Sequence, residues 1–125
     1  MLNVLIVDDE DIIRLALKRI FEKLGCKILE ADSIERAVSV LSSQHVDATF
    51  CDVRFPGNQS GTELLELVIE RKHTTKVVMM SCAMDDETSV RLIGSGAAMC
   101  VEKPFFKAEC REMLTSLFPE EMTAT

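Results

Sequence analysis

The sequence predicts an α/β protein: a doubly wound sheet of five parallel strands alternating with five helices. Three observations carry that prediction. Short apolar runs recur along the chain, helix-period stretches separate them, and chemically active side chains sit where the runs end. Strands of a parallel sheet are covered on both faces, so they read as near-continuous apolar runs. Strict alternation with helices then implies right-handed crossovers around one sheet.

Residues 3–7 form the first strand, with the run Val4-Leu5-Ile6-Val7 ending on Asp8 and Asp9. The first helix follows, its apolar stripe made by Ile13, Ala16, Leu17, Ile20, Phe21 and Leu24, and it stops at Gly25. Residues 27–31 read as a shorter strand. Asp32-Ser33-Ile34-Glu35 has the form of a capping box with Asp32 as N-cap, and Ile34, Ala37, Val38 and Leu41 line the helix behind it. The third strand, 48–51, ends at Asp52. Phe55 to Ser60, containing Pro56-Gly57-Asn58, is turn-rich, and a helix is expected over 61–71. The run Val77-Val78-Met79-Met80 ends at Ser81. A fourth helix over 86–94 has a sparse apolar face, with Gly94 and Gly96 crowding its end. The run Ala98-Met99-Cys100-Val101 precedes Lys103. In the last helix Phe106, Cys110, Met113, Leu114 and Leu117 share a face, with Pro119 beyond. Residues 1–118 thus make one domain, and 119–125 carry no pattern and are expected to be a tail or the start of a linker.

Chain length and composition bound the function. The 125 residues suit one domain. The net charge of −7 argues against direct nucleic-acid binding, which needs a basic patch, and Lys18-Arg19 and Arg71-Lys72 are the only adjacent basic pairs. No run approaches the roughly 18 apolar residues of a membrane span, and the start lacks a signal peptide's pattern, so no membrane role and a cytoplasmic location are expected. Cys26, Cys51, Cys82, Cys100 and Cys110 form no CxxC pair and no zinc spacing with His45 or His73. They read as reduced thiols acting mainly as small core hydrophobes, with a redox role for those near the strand ends as the minority alternative.

In an open parallel sheet, functional groups gather outside the carboxyl ends of the strands. Asp8, Asp9, Asp52, Ser81 and Lys103 are therefore delivered to one rim. Three carboxylates in one place repel each other unless a cation intervenes, which points to Mg²⁺ and to phosphoryl chemistry. Taken singly, each residue has a plainer reading. Asp8 and Asp9 fit a helix N-terminus, Asp52 a turn, Ser81 a strand-end hydroxyl, and Lys103 a surface cation. Their joint occurrence argues for a site.

The order Asp8-Asp9, Asp52, Ser81, Lys103-Pro104-Phe105, with Gly61 and Gly96-Ala97, resembles the receiver domain of two-component response regulators over residues 2–118. That resemblance implies a flavodoxin-like fold with strand order 2-1-3-4-5, as in chemotaxis receivers, and a signalling switch rather than an enzyme. It implies Asp52 as phosphoacceptor from a phosphohistidine on a sensor histidine kinase or phosphotransfer protein. Mg²⁺ would be held by Asp9, Asp52 and the backbone carbonyl of Arg54, with Asp8 acting through water. Lys103, preceding a cis peptide bond, would pair with Asp52 at rest and with the phosphoryl group afterwards. Ser81 would donate to that group. An output domain or partner, or a second copy, would read the surface of the fourth helix, fifth strand and fifth helix, where Met80, Met84 and Met99 read first as buried gap-fillers, with adaptable packing as the alternative.

The chain also departs from the family pattern. The loop 56–61 is one residue longer, Cys82 stands where a smaller residue is usual, Arg54 and Ala83 fill variable positions, and Cys100 replaces an aromatic ring. The alternative reading is a phosphorylation-independent binding module on the same fold. A haloacid-dehalogenase-type phosphatase would need an Asp at the position of Arg54, and a flavodoxin-like electron carrier would need a Ser/Thr-Gly-rich loop after the first strand.

Overall fold

The computed structural model describes residues 1–123. Five parallel strands, β1 (Asn3–Val7), β2 (Lys27–Ala31), β3 (Ala48–Asp52), β4 (Lys76–Ser81) and β5 (Met99–Glu102), lie in the order β2-β1-β3-β4-β5. Between and after them run α1 (Asp11–Lys23), α2 (Ile34–Ser43), α3 (Gly61–Glu70), α4 (Asp86–Gly94), α5 (Lys107–Leu117) and α6 (Pro119–Thr123). This is the doubly wound architecture the alternation predicts.

The pleat sorts the core into two halves, because successive strand residues point to opposite faces. Val4, Ile6, Phe50, Val78 and Met80 pack with Leu17 and Phe21 of α1 and with Cys110, Met113, Leu114 and Leu117 of α5. Leu5, Val7, Cys51, Val77 and Met79 pack with Ala37 and Leu41 of α2, Leu64, Leu65 and Val68 of α3, and Leu92 of α4. The three central strands are buried almost throughout, which explains their unbroken apolar runs.

Four local expectations need correction. The N-cap of α2 is Ser33, whose hydroxyl accepts from the Arg36 amide at 3.1 Å, not Asp32; Asp32 instead lies 3.8 Å from the Arg36 guanidinium. Phe106 does not join the apolar face of α5. It is the extended residue before that helix and is 64% exposed, while Phe105 enters the core. The third helix stops at Glu70, with Arg71 as its C-cap. Residues 119–123, expected to be unpatterned, form α6, and Met122 packs on the α1/α5 half of the core. Residues 124–125 of the expected tail lie outside the described residues. At the end of α1, Gly25 takes φ +88°, the left-handed turn that stops the helix there.

Candidate functional site

β1, β3, β4 and β5 run in parallel, so their ends bring Asp8, Asp9, Asp52, Ser81 and Lys103 to one rim, around a cleft that Asp9, Arg54, Ser81 and Cys82 help to line. One oxygen from each of Asp8, Asp9 and Asp52 lies within 4.8 Å of the others. Asp8 is fully buried and Asp52 nearly so, whereas Asp9 faces solvent. All five sequence-predicted side chains thus converge.

Lys103 bridges the two buried acids. Its ammonium donates to Asp8 Oδ2 at 2.9 Å and to Asp52 Oδ2 at 3.2 Å. The expected Asp52 pairing is present, and the shorter contact to Asp8 is an addition that spacing did not suggest. The Lys103–Pro104 peptide is cis. Asp8 spends its other oxygen on the Glu10 amide at 2.9 Å, so both of its oxygens are engaged. The N-cap of α1 is Glu10, whose own side chain makes no capping bond, so neither Asp8 nor Asp9 is the N-cap residue. Asp9 makes no hydrogen bond or ion pair among the described residues, leaving its carboxylate for a ligand.

Burial, with the charge of Asp8 added, holds the Asp52 carboxyl above its ordinary range, although Lys103 and the Arg54 amide work the other way. For Lys103 burial disfavours the ammonium, but the Asp8 hydrogen bond and the Asp52 charge outweigh it, and its pKa is raised. Three carboxylates against one ammonium leave the rim short of positive charge. Only oxygen donors are offered, and too few to complete a cation's shell without water. That donor set fits Mg²⁺, a hard ion that keeps several waters.

Two backbone features fix Asp52. A Cβ at Gly61 would stand 2.1 Å from the Asp52 carbonyl oxygen, so only glycine lets α3 start this close to the end of β3. The Cys51 thiol donates to the same carbonyl at 3.2 Å. Ser81 is turned toward its own loop, accepting from the Ala83 amide at 3.3 Å.

The cysteines divide as burial dictates. Cys26, Cys51 and Cys110 are buried free thiols, and burial pushes Cys26 up to about 11 and Cys110 up to about 12. Cys82 is exposed beside the cleft, and Cys100 is half-buried with its thiol 3.9 Å from the Ser89 carbonyl. His45 is mostly exposed and lies 2.9 Å from Asp47, just before the amino end of β3 and at the opposite end of the strands from the rim. The spacing argument missed Arg14. Its guanidinium donates to the Asp8 backbone carbonyl at 2.7 Å, and the nearest sequence signal was only its place one turn into an acid-led helix.

A model of the response regulator receiver domain matches residues 4–115. The chain is 36% identical over 104 residues to a cyclic di-GMP phosphodiesterase of Thermotoga maritima, an alignment covering 82% of this chain and 27% of that protein. It superposes on a response regulator from Thermotoga maritima with a TM-score of 0.85 at 28% identity, covering 96% of this chain and 99% of the other. Chemotaxis protein CheY4 of Vibrio cholerae shares the fold, with a TM-score of 0.88 at 22% identity over 94% of this chain and 99% of that one. The chain spans about a quarter of the length of the first curated relatives it matches. With the family model covering nearly the whole chain and the strand order in agreement, the chain belongs to the response regulator receiver domains of two-component systems.

Proposed function

We propose that this receiver domain is a phosphorylation-controlled switch whose acceptor is Asp52. The observation that carries the reading is the buried pair Asp8 and Asp52 bridged by Lys103, with the unpaired Asp9 carboxylate alongside. An oxygen of Asp52 attacks the phosphorus of a phosphohistidine on a sensor kinase or phosphotransfer protein. The new O–P bond forms as the N–P bond breaks, and the imidazole departs with the electron pair. Asp9, Asp52 and the Arg54 carbonyl would hold Mg²⁺, with Asp8 contributing through water. The ion would supply charge neutralisation for the phosphoryl oxygens.

The chain's own groups do the rest. Lys103 already sits on Asp52 and follows the charge from carboxylate to phosphoryl oxygen, as a compact ammonium on a flexible stem can. Ser81 leaves the Ala83 amide and donates to the same group, drawing the 82–85 loop with it. α4, β5 and α5 then present an altered surface to an output domain, a partner protein or a second copy. Val90 and Ile93 of α4 are exposed there, and Met84 within the loop is half-buried against the α2/α3/α4 half of the core. The phosphodonor implied is a cytoplasmic one, and the domain assists only its own phosphorylation and dephosphorylation.

Mass spectrometry after incubation with Mg²⁺ and acetyl phosphate should show one added phosphoryl group, absent in Asp52→Asn. Beryllofluoride with Mg²⁺ should move the amide signals of Asp52, Ser81 and Cys82. A phosphoryl group retained in Asp52→Asn would place the acceptor elsewhere, and no response in the parent chain would favour the phosphorylation-independent binding module.

A further inference from the structure

We infer that Arg14 is a positioning residue for the acidic rim: it holds the Asp8–Asp9 peptide so that the Asp9 carboxylate meets a divalent cation. The inference rests on the proposed metal-dependent reading of the site. Arg14 sits on α1, and its side chain is only 14% exposed, a burial that its partners make possible. One guanidinium nitrogen donates to the Asp8 carbonyl oxygen at 2.7 Å. Another pairs with the Asp11 carboxylate, and Nε lies 3.5 Å from Glu30 Oε1 on β2.

The group therefore ties three elements together: the end of β1, the first turn of α1, and the neighbouring strand β2. The atom it grips matters most. The Asp8 carbonyl belongs to the peptide joining Asp8 to Asp9, so its orientation sets the direction in which the Asp9 side chain leaves the backbone. From the other side, Asp8 Oδ1 accepts from the Glu10 amide. Asp9 itself has no side-chain partner, so this doubly held peptide is what fixes it. A planar fork with several donors suits the task, and a lysine could reach only one of these acceptors.

Charge and positioning make opposite predictions. Removing a guanidinium near three carboxylates makes the rim more negative, which by itself would tighten cation binding. Loss of positioning would weaken it. Groups that orient a metal ligand without touching the metal commonly matter by about tenfold or more in affinity.

The experiment is a Mg²⁺ titration followed by amide NMR at Asp9 and Asp52, on the parent chain, Arg14→Met, Arg14→Lys and Arg36→Ala. Hydrogen exchange at Asp9 and Glu10 is measured in the metal-free proteins. Arg14→Met and Arg14→Lys should both bind Mg²⁺ about tenfold more weakly and exchange faster at Asp9 and Glu10. Arg36→Ala, which removes a cation from the same flank that does not touch Asp8, should bind as the parent does. Should either Arg14 variant fail to fold, Glu30→Gln, which loosens the outer anchor of Arg14 and the Lys18 contact, should weaken binding and speed exchange at Asp9 and Glu10. Lys18→Met, which removes only the other partner of Glu30, should leave exchange unchanged. Tighter or unchanged binding in Arg14→Met or Arg14→Lys, or unchanged binding in Glu30→Gln, would overturn the inference. A parent chain that shows no Mg²⁺ response would instead overturn the proposed function.

Discussion

The two ends of the sheet handle buried polar groups in opposite ways. At the amino ends of the strands each group has a matching partner. The Asn3 amide donates to Asp47 Oδ2 at 2.7 Å, Thr49 and Thr75 share a hydroxyl hydrogen bond at 2.9 Å, and the Lys76 ammonium donates to the Leu117 carbonyl at 2.5 Å while lying over the Phe118 ring. At the carboxyl ends two buried carboxylates share a single lysine, with an exposed carboxylate beside them. The same rigid scaffold carries both ends, so the shortage of positive charge at one of them belongs to its side chains and not to the fold. A satisfied polar network serves stability, and an unbalanced one stores a demand for a ligand.

Removing Lys103 should break the comparison hardest. Lys103→Met leaves two buried carboxylates facing each other and should cost about 3 kcal/mol in metal-free protein. The chain has no Trp or Tyr, so unfolding is best followed by far-UV circular dichroism. Gly61→Ala comes next. The new methyl must displace the Asp52 carbonyl, at a cost of about 2 kcal/mol, and should shift the Asp52 amide signal. At the other end, Thr75→Val leaves the Thr49 hydroxyl without its partner and should cost about 1–2 kcal/mol with no change in the Mg²⁺ response. His45→Ala, at an exposed pair, should stay within about 0.5 kcal/mol and leave the site untouched. If Thr75→Val altered Mg²⁺ binding, the two ends would not be independent.

Most of this contrast was legible in the sequence, for a physical reason. A central parallel strand must be apolar throughout, so the first polar residue after Val7, Cys51 or Met80 marks both the strand's end and the rim. Three acids, a hydroxyl and an ammonium at those positions could be assigned to one place without seeing any coordinates. What escaped was set by geometry beyond spacing. Phe105 and Phe106 are chemically alike, and the extended backbone at Phe106 decides which one enters the core. Ser33 and Asp32 are both good caps, and the starting residue of α2 chooses between them. α6 is too short for a periodic signature, and Met122 is its link to the core. The grip of Arg14 on the Asp8 carbonyl is a side chain to backbone contact, which no pattern of residue types records.

The central claim is that the rim is held short of positive charge until a divalent cation arrives. The direct measurement is folding stability against pH, with and without Mg²⁺, for the parent chain and for Asp52→Asn and Asp9→Ala. The Asp52 carboxyl is raised above its ordinary 3.8 in the folded state, so the metal-free fold binds that proton more tightly than the unfolded chain does. Relative to Asp52→Asn, the parent should therefore lose stability as pH rises from 3.8 through the raised value. Mg²⁺ should reverse that loss, adding about 1.4 kcal/mol for each tenfold rise in concentration above its dissociation constant, far less so in Asp9→Ala or Asp52→Asn. Equal stabilisation of all three proteins by Mg²⁺, or a parent that gains stability over Asp52→Asn as pH rises without metal, would contradict the account.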